Sequence, residues 1–332
     1  MVTPPEDEYL HVEGHENEGF FNDNLWFSIC DREADVFGVN HIHATNKGYA
    51  RFSTCLVIDG HPMPWANKAP LTVTGKFDKL TEGNMTYEVV KPLEQIRITL
   101  DTPKYGYDIL WTGRFPVFDY FDLPNNPFTQ IMDGHYEQGL HAVGEFEVRA
   151  GPRQGRREIN CYAHRDHSWT PRFEEPSPWE YGPVDRLSSL GHFWPSIQTD
   201  TMHLNAIGGL NSERWKQMEG LTSRPPGAGF LSNKDGSRPV KDALAEVRLE
   251  DDGRTAMSFL YEITLPDGDV VHVRTGRKYA QSVNGLMRGE NDAECRMDCY
   301  EAFFDFEVKE SGERGYGCAE YSIAPPSPRW RY

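Results

Sequence analysis

The chain has 332 residues and a formal charge of −17, from 34 Lys and Arg against 51 Asp and Glu. That balance repels phosphate backbones and argues against nucleic acid as a partner. No apolar run reaches the roughly 18–20 residues of a membrane helix, so no transmembrane segment is expected. The acidic first stretch lacks the apolar core of a secretory signal, so a cytoplasmic protein is expected.

The pattern along the chain is mostly of period two, the mark of half-buried strands. "VNHIHAT" puts His41 and His43 on one face of a strand, where two imidazoles could share a metal given a third ligand, or simply line a polar wall. "YARFSTCLVIDG" alternates and breaks at Asp59-Gly60, a turn dipeptide. "LTVTGKFDKL", "MTYEVVKPLEQIRITL" and "GYDILWTGRFPVFDYFD" follow, the last rich in rings that suit either a core or an apolar pocket. "GHYEQGLHAVGEFEV" places Tyr136 and Gln138 on one strand face as candidate cavity donors. "AGPRQGRRE" interrupts the pattern, so two domains are expected, residues 1–160 and 161–332.

The second half repeats the style. "SSLGHFWPSIQTD" carries His192 and Trp194 as a same-face pair, a ligand wall or a packed core. "NSERWKQMEGL" reads as one short helix capped by Asn211, or as a loop. A β-meander follows, with type I′ candidates at Asp252-Gly253 and Asp267-Gly268, and "YEAFFDFEVKESGERGYGCAEYSIA" closes as a hairpin. The fold class expected is all-β, two antiparallel β-barrels. The six cysteines form no CxxC and read as reduced thiols.

The densest chemistry lies in "AHRDHSWTPR", Ala163 to Arg172. If extended, the stretch puts His164, Asp166 and Ser168 on one face and Arg165, His167 and Trp169 on the other. Next to Arg165 and Arg172, Asp166 would stay ionised; walled off from them by apolar groups, it would be pushed toward the neutral acid, able to protonate an alkene or a leaving hydroxyl. His164 or His167 could take the proton back. The competing reading is a buried ion-pair knot, since charged clusters mark sites only in part. No nucleotide-binding glycine fingerprint, P-loop, zincin or serine-hydrolase elbow is present, and no cofactor is expected.

The block "CYAHRDHSWTPR" after "HYEQGLHAVGEFEV" resembles the hydroxyneurosporene synthase-like group, the carotenoid 1,2-hydratase or AttH-like proteins, over roughly residues 10–325. The opening "NEGFFNDNLWFSICDREADVFGVNHIHA" and the later "FLYEITLPDGDVVHVRTGRKYA" and "GYGCAEY" share that likeness. Thr170 stands where the group commonly has Gly, and so does His164. The resemblance implies two lipocalin-like barrels side by side and a hydrophobic small-molecule partner such as a terpenoid or polyene. It carries over Arg165, Asp166, His167, Trp169 and Arg172. The function expected is a lyase or isomerase with Asp166 as acid, His164, His167 and Arg165 around it, and a wall of Trp169, Arg172, Tyr107, Trp111, Tyr136, Gln138, His192 and Trp194. A non-catalytic binder of a lipophilic molecule is the alternative, and the oligomeric state is open, a homodimer included.

Overall fold

The computed structural model describes residues 3–17, 20–123, 126, 132–151, 153–172, 192–210, 227–284 and 298–323. Two compact units divide the chain, Met1–Glu174 and Glu175–Tyr332. The division comes later than the expected 160/161. That point falls inside a strand, Gly155–Arg172, which pairs into the first sheet along its whole length.

The first unit opens on a 3-10 turn, Pro5–Glu8, whose Pro5 stands where a missing N–H costs nothing. Its strands are β1 (Phe20–Asp31), β2 (Val36–Thr45), β3 (Tyr49–Ile58), β4 (His61–Pro70), β5 (Lys79–Glu82), β6 (Met85–Lys91), β7 (Gln95–Asp101), β8 (Tyr105–Gly113), β9 (Phe118–Asp119), β10 (Gly134–Val148) and β11 (Gly155–Arg172). They form one antiparallel sheet in the order β4-β3-β2-β1-β11-β10-β8-β7-β6-β5, with β9 added beside β10. Phe27 of β1 lies 5.7 Å from the Tyr87 ring of β6 and 5.8 Å from Trp111 of β8. Neither strand is a neighbour of β1 in the sheet, so the sheet curls on itself and the rings pack across its inside. Tyr107 and Tyr105 of β8 likewise reach Asn40 of β2 and Thr54 of β3, each at 2.5 Å.

The second unit holds β12 (His192–Thr199), β13 (Met202–Gly209), β14 (Ala228–Asn233), β15 (Gly236–Pro239), β16 (Asp242–Leu249), β17 (Ala256–Thr264), β18 (Val270–Asn284), β19 (Asp298–Val308) and β20 (Arg314–Ile323). Their order is β15-β14-β13-β12-β20-β19-β18-β17-β16. One face is a continuous apolar core that includes Phe193, Ile197, Leu204, Phe259, Tyr261, Phe304 and Tyr321. Phe193 and Tyr261, on non-adjacent strands, stand 5.8 Å apart, so this sheet is curled as well. The all-β expectation holds, with two antiparallel sheets in barrel or half-barrel form.

The turns separate by length. Ile58 pairs with His61, leaving the two-residue loop Asp59-Gly60, with φ of 52° and 75° as a type I′ turn demands. Asp252-Gly253 and Asp267-Gly268 differ from expectation, because only the glycines take positive φ, 67° and 94°. Their connections are longer than two residues, and longer hairpins use a type I turn followed by one left-handed residue. The candidate helix at residues 211–221 lies outside the described residues.

Candidate functional site

β11 sits in the middle of its sheet, bonded to β1 on one side and β10 on the other. The register sorts its side chains as alternation requires. Arg165, His167 and Trp169 share the inner face with Gln138, Tyr136 and Gly134 of β10. His164, Asp166 and Ser168 share the outer face with Glu137 and His135 of β10 and with Trp26 and Asn24 of β1. The ten-residue block is therefore two networks, back to back through one strand.

The inner network is built on Glu8. The Arg165 Nη1 donates to both Glu8 carboxylate oxygens at 2.8 Å, and its Nε donates to Gln138 Oε1 at 3.0 Å. Tyr87 and Tyr136 hydroxyls donate to Glu8 Oε1 at 3.1 and 3.4 Å, and the Leu93 N–H to Oε2 at 2.5 Å. Glu8 is 0% exposed and Arg165 1%. So enclosed a pair is costly unless its lone pairs and protons are matched. The Arg165 Nε and Nη1 are, while its Nη2 is buried without a hydrogen-bond partner among the described residues. Burial, with the Glu8 charge added, pushes both tyrosines well above the usual phenol range.

Beside it His167 bridges Tyr136 Oη, 3.1 Å from Nδ1, and Asp23 Oδ1, 2.8 Å from Nε2. Asp23 Oδ2 also accepts the His11 backbone N–H at 2.6 Å and lies 3.2 Å from its Nδ1. Burial works to raise Asp23, but the His167 charge and the hydrogen bonds from both imidazoles outweigh it and hold the carboxyl at about 2. The His11 ring stacks on Trp169 at 3.7 Å. Gly134 makes room for that indole, since a Cβ there would sit 2.0 Å from Trp169 Cζ2.

The outer network is a chain of alternating imidazoles and carboxyl groups. His135 Nε2 lies 3.2 Å from Asp166 Oδ2 and 3.2 Å from Glu137 Oε1, and His164 Nε2 lies 3.0 Å from Glu137 Oε2. His135 stacks on Tyr120 at 4.7 Å, and Trp26 meets His164 edge-on at 5.6 Å. Burial disfavours the imidazolium of His135. The Asp166 charge, with hydrogen bonds to Asp166 and Glu137, overcomes that and raises it to about 9. Three groups on this face, Asp166 Oδ1, Trp26 Nε1 and Asn24 Oδ1, are buried without a hydrogen-bond partner among the described residues. Leaving such a group unpaired costs about 1–3 kcal/mol.

Asp166 is corrected by these neighbours. Burial alone favours its neutral acid, but the charges of His135 and His164 win and keep its carboxyl below the usual range. The proton of this cluster resides on His135. Arg165 lies on the face opposite Asp166, as strand alternation places it, and is committed to Glu8.

The remaining candidates scatter. Tyr136 and Gln138 do share a face, as partners of Glu8 and Arg165. Tyr107 donates to Asn40 and stacks near Phe146 at 5.8 Å, and Trp111 donates to the Ser28 carbonyl at 3.1 Å, so both sit in the core of the first unit. His192 and Trp194 belong to the second unit. Burial pushes His192 down to about 4, and Trp194 Nε1 donates to Asn205 Oδ1 at 3.0 Å. The Arg172 backbone ends β11, and its side chain lies outside the described residues. His41 and His43 contact one another at 2.9 Å, and among the described residues neither joins a three-ligand group. Three such groups do occur, His11–Asp23–His167, His135–Glu137–Asp166 and His192–Cys299–Glu320. Of the residues the networks add, His135 and Glu137 were legible as the alternate face of "GHYEQ", whereas Glu8, His11 and Asp23 carried no local signal.

A family model described as a domain of unknown function, DUF7064, matches residues 4–325. The chain belongs to the DUF7064 family. No curated protein matches this DUF7064 chain in sequence. Solved structures do match its fold. An AttH-like protein from Nitrosomonas europaea superposes with a TM-score of 0.61 at 12% identity, covering 97% of this chain and 96% of that one. Kievitone hydratase from Nectria haematococca gives 0.54 at 13% identity, over 97% and 93% of the two chains. CghA with Sch210972 gives 0.54 at 8% identity, over 92% and 89%. The resemblance to the carotenoid hydratase, lipocalin-like group is borne out in the fold. Among the described residues no helix is long and apolar enough to cross a membrane.

Proposed function

We propose that this DUF7064 protein is a cofactor-independent lyase or isomerase, of hydratase, dehydratase or cyclase type, working by acid–base chemistry on a hydrophobic terpenoid, polyene or aromatic small molecule. The observation that carries the reading is His135 Nε2 placed 3.2 Å from each of two carboxyl groups, a setting that raises the imidazole and favours the imidazolium. An imidazolium beside unpaired buried polar groups is a proton donor for an alkene or a departing hydroxyl. In hydration the proton leaves Nε2 for one alkene carbon, a water adds to the neighbouring carbocation, and the water's surplus proton passes to Asp166 and back to His135. Dehydration runs the same steps in reverse. Trp26 and Tyr120 set aromatic rings beside the cluster. Kievitone hydratase, which shares the fold, is by its name an enzyme of this reaction class.

The test is a panel of terpenoid alkenes, polyenes and prenylated aromatics incubated in deuterated water and followed by mass spectrometry. Gain or loss of one water, or ring closure with deuterium uptake, is the expected result. His135→Gln should cut turnover by about 10²–10⁴ while ligand retention survives. Tight binding with no conversion of any panel member would assign the protein instead as a carrier of lipophilic molecules, and undiminished turnover in His135→Gln would remove the acid assignment.

A further inference from the structure

The second unit carries a donor set of its own, independent of the proposed activity. His192 opens β12, Glu320 lies on β20 and Cys299 on β19, and their ligating atoms all stand within 4.8 Å of one another. β20 pairs with both β12 and β19, which is what gathers residues so distant in sequence. His192 Nε2 is 2.9 Å from Glu320 Oε1, and Cys299 is hydrogen-bonded to the same carboxylate. Behind the ring, Ser322 Oγ lies 2.6 Å from His192 Nδ1 and accepts the His192 backbone N–H at 3.0 Å. The imidazole is thus fixed in plane with Nε2 aimed at the carboxylate, the arrangement in which an outer partner orients a metal-bound histidine.

We infer that His192, Cys299 and Glu320 form a binding site for a borderline-soft divalent cation, Zn²⁺ foremost. One imidazole nitrogen, one sulfur and one carboxylate oxygen match zinc, whereas Mg²⁺ and Ca²⁺ prefer all-oxygen sets. Around tetrahedral zinc such atoms lie about 3.3–3.6 Å apart, from bond lengths of about 2.0–2.3 Å. From the present spacing, the His192–Glu320 contact at 2.9 Å would open slightly, and the Cys299 sulfur already lies within 4.8 Å of both partners. Binding converts the Cys299 thiol to thiolate and releases its proton to solvent. Three protein ligands leave a fourth position, reachable because His192 and Glu320 remain part-exposed.

The experiment uses the full chain, stripped with chelator and then titrated with Zn²⁺ by calorimetry and with Co²⁺ by absorption. One equivalent binds, and Co²⁺ develops a thiolate charge-transfer band. Cys299→Ser abolishes that band, while Cys318→Ser, whose sulfur donates to Glu301 at 3.1 Å, keeps it. His192→Gln weakens Zn²⁺ at least tenfold and Ser322→Ala weakens it by about 10–100-fold, as loss of an orienting partner does. Melting of each metal-free variant checks that it is folded. Absence of stoichiometric binding to the wild type, or a band that survives in Cys299→Ser, overturns the assignment.

Discussion

Arg165 gives the sharpest physical test, because the fold commits its guanidinium to the buried Glu8 carboxylate. Arg165→Met keeps the stem but removes the guanidinium, leaving the Glu8 carboxylate at 0% exposure with two phenols and one backbone N–H for company. Removing one partner of a buried ion pair costs about 3–5 kcal/mol. For a unit of this size about 2–4 °C is lost per kcal/mol, so melting falls by about 6–20 °C. Urea unfolding of the first unit should show the midpoint drop with little change in slope. Adding Glu8→Gln to Arg165→Met removes the stranded charge and recovers most of the loss. A single-variant cost under about 1 kcal/mol, the range of an exposed pair, would refute the reasoning. So would a double variant no more stable than Arg165→Met.

Two further outcomes follow from the geometry. The His135 ring should titrate by NMR near pH 9; its folded value lies above the ordinary 6.5, so its ion pairs stabilise fully below that value and are lost as pH rises through about 9, and a midpoint near 6.5 would count against the ion-paired cluster. Gly134→Ala pushes a methyl to within 2.0 Å of Trp169, so it should break the His11–Trp169 stack at a cost of about 1–3 kcal/mol, read as a shift in tryptophan emission; unchanged emission and stability would remove the close-packing argument.

Strand alternation made much of the site legible in advance. Once "INCYAHRDHSW" is extended, the separation of Asp166 from Arg165 follows, and the observed register matches it. The same rule, applied to "GHYEQ", put Tyr136 with Gln138 and left His135 with Glu137. Partnership across the chain was beyond such reading. Glu8 is 157 residues from Arg165 and meets it only because the N-terminal turn enters the curled sheet. The charge state of Asp166 was left open for the same reason, since it depends on His135, a neighbour supplied by pairing with β10. His192, Cys299 and Glu320 show the limit most clearly, as no local spacing joins residues gathered from three strands.

The back-to-back placement on β11 has an evolutionary corollary. A codon gained or lost before His164 would transpose the strand downstream of it, turning His164 and Asp166 inward and Arg165, His167 and Trp169 outward. Point substitutions can tune either surface separately, but an indel edits both at once. Strand geometry alone therefore sets the length of this segment.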